Sequence, residues 1–289
     1  MADELFGITG ATGAVGTRVA ERLTALGVRP RLIARDESKV SAPGAEVARI
    51  VDYGDRSSFQ IACEGVSTLF LVSASEHPDR VGLHKTAVDA GVEAGVERIV
   101  YLSFLGAAPD ATFTFARDHH ATEEHIRQKG VAFTFVRNSI YLDYVPYFCG
   151  EDGAIRGPAG DGLFAPIARD DVADVIVAVL TSREHDGTTF DNTGPELMTM
   201  RDAAAELAHA SGREIVYRDE TLEEARASRA RSGAPAWEIE GWVTSYAAIA
   251  TGEMAVVTDT VPRLAGHPAL SLAEYLTSYP QSYAHLRTG

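Results

Sequence analysis

Gly10-Ala11-Thr12-Gly13-Ala14-Val15-Gly16 sets a glycine at every third position, a spacing that suits a backbone wrapped around an anion. Glycine turns with positive φ and lets a pyrophosphate approach the amides of a helix N-terminus, where the helix dipole favours negative charge. The third glycine, Gly16, lets helix and strand pack closely. The segment follows the apolar run Leu5–Thr9 and leads into Val15, Val19, Leu23 and Leu26, which recur at helical spacing. Strand, glycine turn and helix form the context that a dinucleotide-binding loop requires; a purely structural turn is the alternative. Gly10, Thr12, Gly13, Ala14, Val15 and Gly16 are the candidate cofactor contacts.

The next apolar run, Arg31–Ala34, ends just before Arg35. An acidic side chain at this point accepts hydrogen bonds from an adenosine ribose, whereas an arginine pairs with a 2′-phosphate. Arg35 therefore points to NADP(H), with NAD(H) as the alternative because Asp36 stands next to it. Asp52 and Tyr53, past the third run, are candidates to border the adenine. An aspartate capping the following turn is the competing reading of Asp52.

A tyrosine four residues before a lysine is one way to move a proton at a carbonyl, because the lysine lowers the phenol pKa. All 26 basic residues except Lys39, Lys85 and Lys129 are arginine, and Arg35, Val81 and His125 stand four positions before those lysines. The pair is absent. The expected chemistry is therefore hydride delivery to an acceptor that takes its proton from water. His119, His120 and His125 stand beside Asp118, Glu123 and Glu124. His120 and Glu124 share a helix face, but two ligands do not make a metal site, and no metal is expected. His120 is instead a candidate catalytic residue, with a helix-capping or surface histidine as the alternative. Asn138 and Tyr141 follow the sixth run and are candidates to orient an acceptor oxygen, with a structural asparagine at a turn as the alternative. Tyr144, Tyr147 and Phe148 suit an aromatic slot or core packing equally well. Gly-x-Ser-x-Gly is absent, which leaves serine-hydrolase chemistry without support.

These residues need elements to hold them. Short apolar runs at Leu5–Thr9, Arg31–Ala34, Val47–Val51, Thr68–Val72, Ile99–Leu102 and Phe133–Val136 have the character of fully buried parallel strands. Helical stretches near Ser57–Ala62, Arg80–Ala94 and Arg117–Lys129 lie between them. The alternation predicts an α/β, Rossmann-type doubly wound parallel sheet. Regularity stops beyond Asn138, and the five glycines of Gly150–Gly162 read as a long loop or hairpin. Helical patterns return at Asp171–Leu180, Met200–Ala210, Leu222–Arg231 and Trp237–Ala250, with strand-like runs at Thr188–Asp191 and Ile215–Tyr217. The expected organisation is a dinucleotide-binding domain over residues 1–149, with further core elements near 169–192, and a smaller, mostly helical substrate-side region over 150–289.

Composition agrees with a folded chain: 289 residues, 45% hydrophobic and 23% charged, long enough to bury a core without a disulfide or metal staple. Cys63 and Cys149 alone form neither a disulfide scaffold nor a cysteine zinc motif. The start, Met1-Ala2-Asp3-Glu4, lacks the basic head of a secretory signal, and no apolar run is long enough for a membrane span. A net charge of −15 repels phosphate backbones and anionic lipid. A cytoplasmic protein, monomer or homodimer, acting on a small molecule and not on nucleic acid or membrane, is the expectation.

Several segments together resemble the NmrA-like branch of the atypical short-chain dehydrogenases, and within it the type 2 NAD(P)H:quinone oxidoreductases and triphenylmethane reductases. They are Ile8–Gly13, Asp52–Asp55, His120–Glu123, Phe133–Asn138 with Tyr141, Ala159–Gly162 and Ala250–Glu253. The resemblance implies a cofactor lying along Gly10–Gly16, Arg35, Ser73-Ala74-Ser75 and Ser103-Phe104, with a substrate cleft near Asn138, Tyr141 and Gly150–Gly162. It implies a reductase of electron-poor planar acceptors such as quinones, azo or triphenylmethane dyes, or enones. The alternative it carries is a protein that binds the dinucleotide without turnover and reports redox state to a partner. Phe104–Phe115 and Tyr144–Phe148 depart from the family pattern, which leaves the acceptor open.

Overall fold

The computed structural model describes residues 4–40 and 45–287; Met1–Asp3, part of the acidic start read above, lie outside them. The short apolar runs become strands, and the helical periodicities between them become the crossovers. β1 (Phe6–Ile8), β2 (Arg31–Ala34), β3 (Glu46–Arg49), β4 (Thr68–Val72), β5 (Arg98–Phe104), β6 (Ala132–Asn138) and β8 (Thr188–Asn192) form one sheet in the order β3-β2-β1-β4-β5-β6-β8. The pairings from β3 to β5 are parallel. The order reverses between β1 and β4, so the loops leaving these strands diverge; ligands of open α/β sheets bind outside the carboxyl ends at such a reversal.

The crossover helices are α1 (Ala14–Ala25), α2 (Arg56–Ala62), α3 (Arg80–Glu93), α4 (Thr114–Gln128) and α5 (Arg169–Leu180). Phe59, Leu69, Leu71, Val88, Ile99, Tyr101, Ile126 and Phe135 belong to one buried cluster. Arg98, fully buried, ends α5: it donates to the carbonyls of Val179 and Ser182 at 3.0 Å and pairs with Asp186 at 2.6 Å. The guanidinium thus meets the orphan carbonyls and negative dipole end of that helix.

Two expectations are corrected. The third run is not buried: Glu46, Val47 and Arg49 are exposed, because β3 is the outermost strand of the sheet. The glycine-rich segment holds β7 (Ala154–Gly157), which pairs in parallel with β9 (Val216–Asp219) in a separate two-stranded sheet. Its glycines serve close packing as well as turning. A Cβ on Gly157 would overlap the Tyr246 ring, 2.6 Å from its Cγ, and one on Gly162 would stand 2.5 Å from the Ile249 carbonyl carbon. Both neighbours belong to α8 (Ala236–Ala250).

The chain divides into two units. One comprises Met1–Phe104, Asp118–Arg137 and Val172–Phe190; the other comprises Leu105–Arg117, Asn138–Asp171 and Asp191–Gly289. The second holds the β7/β9 sheet with α6 (Met200–Ser211), α7 (Leu222–Ala230), α8, α9 (Thr260–Ala265) and α10 (Leu272–Ser278). Thr199, Thr221 and Ser271 open α6, α7 and α10 with reciprocal capping boxes. Among the described residues no helix is long and apolar enough to cross a membrane.

A tight demand on the sequence falls on Gly16. A Cβ there would collide with the Gly10 carbonyl, standing 2.7 Å from its carbon, and both sides of the clash are backbone. Gly16→Ala is expected to lower stability by roughly 1–3 kcal/mol, the range of overpacking, and to open the Gly10–Gly13 turn. Urea denaturation checks the first effect and cofactor titration the second; wild-type values for both would contradict the assigned packing.

Candidate functional site

The first loop leaves β1 through Gly10, whose φ of +60° is open to glycine at little cost. A Cβ at Gly10 would also press on Val72, 2.9 Å from its Cβ. The Gly13 N–H donates to the Gly10 carbonyl at 2.8 Å, closing the turn. Gly13 then caps α1 in an extended conformation with no side-chain cap, and no acidic residue occupies the first turn. Thr12, Gly13 and Ala14 are exposed, while Val15 and Gly16 are buried. The positive end of α1 is thus uncapped by any side chain at exposed residues, which fits a pyrophosphate. Thr9 ties this loop to the next strand: its buried hydroxyl donates to the Phe70 carbonyl at 3.1 Å and accepts the Val72 N–H at 2.8 Å.

Arg35 is exposed and is the first residue past β2. Asp36 turns its carboxylate back on the chain, accepting from the Ser38 hydroxyl at 2.6 Å and N–H at 3.1 Å and pairing with Lys39 at 3.3 Å. The Ser38 hydrogen bond, then Lys39, hold its pKa below the usual carboxylate range. Asp52 adopts the capping arrangement, accepting the N–H groups of Gly54 at 2.7 Å and Asp55 at 3.0 Å. Tyr53 packs edge-on against Phe59 and donates its hydroxyl to the Val72 carbonyl at 2.8 Å, while burial raises its pKa.

Behind Ser73-Ala74-Ser75, the loop leaving β4, stands a buried polar network. The Thr122 hydroxyl donates to the Asp118 carbonyl at 2.8 Å, so it accepts from His84 Nδ1 at 2.8 Å. His84 Nε2 is left without a proton and accepts the Ala74 N–H at 2.8 Å. Arg80, one helical turn earlier, donates from Nε to the Ala74 carbonyl at 2.9 Å, and its Nη2 lies 3.3 Å from His119 Nε2. A guanidinium only donates. His119 therefore carries its proton on Nδ1, 3.0 Å from the Tyr101 hydroxyl. Burial, helped by the Arg80 charge, pushes His84 down to about 3 and holds His119 well below the ordinary histidine range.

Ser103 and Phe104 are the last residues of β5 and not a loop after it, and this strand end joins the same network, because Phe104 stacks on the His119 ring at 6.1 Å between centroids. The Ser103 hydroxyl donates to Glu123 at 2.6 Å, and Arg137 grips that fully buried carboxylate with Nε at 2.8 Å and Nη2 at 2.5 Å. α4 begins at Thr114, earlier than the sequence pattern suggests. His120 therefore sits in the second turn and not at the helix start, half-buried, while its neighbour His119 faces inward.

In the other unit, Asn138 is buried and its Oδ1 accepts from Asn192 Nδ2 at 2.9 Å. Tyr141 precedes a 3₁₀ segment, Leu142–Phe148, whose period of about three residues lines up Tyr141, Tyr144 and Tyr147. The Arg169 guanidinium lies over the rings of Tyr141 and Tyr144 at 5.0 and 4.4 Å, and Tyr147 stacks on His285 at 4.7 Å. Among the described residues no three His, Cys, Asp or Glu side chains converge to hold a metal ion.

Sequence reasoning gave no individual site role to Thr9, Arg80, His84, Tyr101, His119 or Thr122, although it counted His119 in the titratable cluster. A signal existed for two of them. Arg80 and His84 begin the buried stripe of α3 that continues through Ala87, Val88 and Gly91, positions where periodicity asks for apolar side chains.

Residues 10–183 match the family described as NAD(P)H-binding. The chain is 30% identical to quinone oxidoreductase 2 of Escherichia coli over 93% of its own length and 96% of that protein. It is 32% identical to (4-alkanoyl-5-oxo-2,5-dihydrofuran-3-yl)methyl phosphate reductase of Streptomyces griseus, over 96% and 98%. The crystal structure of the Escherichia coli NADPH-dependent quinone oxidoreductase QOR2 with NADPH superposes with a TM-score of 0.86 at 30% identity, covering 94% of this chain and 99% of that one.

Buried neutral histidines make stability depend on pH. His84 and His119 bind no second ring proton in the native state near neutrality, whereas in the unfolded chain they titrate near the ordinary value of about 6.5. Their contribution is complete above that value and is lost as pH falls toward the lowered native pKa. Each should cost up to about 1.4 kcal/mol per pH unit below pH ~6. Urea denaturation between about pH 6 and pH 5 checks this, and His84→Gln and His119→Gln should each flatten the slope by one proton.

Proposed function

Because the chain belongs to the NAD(P)H-binding family, we propose that it is an NADPH-dependent reductase of an electron-poor planar acceptor, a quinone, an azo or triphenylmethane dye, or an enone. The observation that carries the cofactor half is Arg35, exposed just past β2 beside an Asp36 whose carboxylate is engaged with Ser38 and Lys39. A guanidinium fork matches a phosphate in a bidentate manner, and an engaged Asp36 competes poorly for ribose hydroxyls. For the acceptor half, the Escherichia coli relative is named for quinones, and the name of the Streptomyces relative describes an unsaturated ring bearing carbonyl groups. Both are acceptors made electron-poor by conjugation.

Bound here, the cofactor supplies a hydride. The backbone of Gly10, Thr12, Gly13, Ala14, Val15 and Gly16 holds its pyrophosphate, Arg35 its 2′-phosphate, and Asp52 and Tyr53 border the adenine side. Ser73, Ala74, Ser75, Ser103 and Phe104 complete the cradle. His120, Asn138 and Tyr141 orient the acceptor, with the Asn138 amide fixed by Asn192. No side chain acts as an indispensable acid; the reduced acceptor takes its proton from water. Positioning alone can supply roughly 7–11 kcal/mol of barrier reduction in favourable cases.

Steady-state NADPH oxidation against quinones, azo dyes, triphenylmethane dyes and enones tests the reading, with deuterated NADPH expected to pass its label directly to the product. Tight NADPH binding without oxidation by any of these acceptors would favour a redox-reporting role. Arg35→Ala should weaken NADPH binding by about 1.5–3 kcal/mol, the worth of a hydrogen bond to a charged group, and leave NADH little changed. Equal wild-type affinities for the two cofactors would contradict the assignment of Arg35. His120→Ala and Asn138→Ala should lower turnover about 10- to 100-fold, short of the roughly 10⁴-fold that a lost general acid can cost.

A further inference from the structure

One residue of the cradle is gripped through both of its backbone polar groups. The N–H of Ala74 goes to His84 Nε2 at 2.8 Å and its carbonyl receives Arg80 Nε at 2.9 Å. Ala74 lies in a loop, past the last residue of β4, so no strand partner fixes it. Both gripping side chains come from α3, one turn apart, and both are buried, His84 fully and Arg80 to 7% exposure. The same guanidinium reaches His119, on which Phe104, the last residue of β5, stacks. Arg80 therefore holds the loop that leaves β4 directly and meets the end of β5 through His119. Asp79 caps the helix immediately before it, accepting the Gly82 N–H at 3.2 Å, which sets where that turn begins.

We propose that Arg80 and His84 are positioning residues for the reductase, a clamp that fixes the Ala74 peptide and, through His119, the Phe104 ring before the cofactor arrives. The inference rests on the reading that the loop after β4 and the end of β5 hold NADPH. A loop whose backbone groups are already oriented gives up less conformational freedom on binding. The clamp works only with His84 Nε2 unprotonated, since a proton there would face the Ala74 N–H. The groups packed around His84 keep it so. The Thr122 hydroxyl, committed as a donor to the Asp118 carbonyl, accepts the hydrogen bond of the single ring proton on Nδ1; Arg80 adds positive charge; and the rings of Tyr53 and Tyr101 lie alongside. Glutamine preserves an acceptor near the Nε2 position, whereas leucine preserves bulk without one.

The experiment compares wild type, His84→Gln, His84→Leu and Arg80→Met by NADPH titration, by steady-state kinetics and by melting temperature. His84→Leu and Arg80→Met are expected to raise the NADPH Kd by about tenfold or more, the scale of an orphaned buried hydrogen-bonding group. With NADPH saturating, kcat should stay within about threefold of wild type, and His84→Gln should recover most of the affinity. Wild-type affinity in His84→Leu or Arg80→Met overturns the proposal. So does an equal loss in the Gln and Leu variants that follows their melting temperatures. Should the Leu or Met variant fail to fold, amide exchange of the wild-type protein decides: Ala74 N–H must be protected although it lies in a loop, and rapid exchange there removes the clamp. A wild-type protein that does not bind NADPH at all defeats the functional reading first, an outcome distinct from normal binding in the clamp variants.

Discussion

The carbonyl of Gly10 occupies the space that a side chain on residue 16 would need, and much of the first unit follows from that approach. It presses the first turn of α1 against the end of β1, so the positive end of the helix dipole lies beside the carboxyl edge of the sheet. The strand is central, with β2 on one side and β4 on the other, and the crossovers leave it in opposite directions. Helix N-terminus and topological reversal therefore fall at one point. Thr9 holds the two diverging loops in register from inside by bonding to Phe70 and Val72. A cradle built in this way is made of backbone, and its shape is insensitive to side-chain rotamers.

Beneath the cradle the interior is polar where a Rossmann core would ordinarily be apolar. Buried cations and imidazoles cost desolvation unless each donor finds an acceptor. Here the assignments interlock: Thr122 fixes the tautomer of His84, His84 receives Ala74, and Arg80 fixes the tautomer of His119. The Glu123 carboxylate meets Arg137 and Ser103 in the same way. Each assignment excludes the alternative protonation of its neighbour. Such a network is worth more for the uniqueness of one loop geometry than for net stability, and the acid sensitivity of the histidines is its thermodynamic cost.

What the sequence discloses here depends on how local the signal is. The glycine loop, the end of β2 at Arg35 and the helical stripes of α1 and α2 are written in neighbouring residues, and they are found where local pattern puts them. β3 is different, because exposure depends on being outermost in the sheet, which no local pattern states. β7 was hidden by glycines that serve packing against Tyr246 and Ile249, residues about 90 positions away. Within the site, the choice between His119 and His120 depends on helical phase. α4 starts three residues before the pattern suggests, and a shift of one residue turns the neighbouring side chain inward. The histidine network joins residues separated by 10 to 39 positions, pairings that periodicity does not encode.

Electrostatics makes the local design necessary. A chain of net charge −15 repels a dinucleotide phosphate at long range, and screening over about 8 Å at physiological salt moderates that repulsion without reversing it. Attraction has to be supplied at contact. The aspartates nearest the strand ends are turned toward backbone amides: Asp36 to Ser38, Asp52 to Gly54 and Asp55, Asp55 to Ser58, and Asp79 to Gly82. Each carboxylate there caps a turn or a helix, and Asp36 and Asp55 are held below their ordinary pKa chiefly by the hydroxyls of Ser38 and Ser58. Negative charge is thus drawn onto helix N-termini other than that of α1, which alone among the α-helices opening the crossovers from β1, β3 and β4 has no side-chain cap. The pattern of caps, more than the total charge, decides where a phosphate is received.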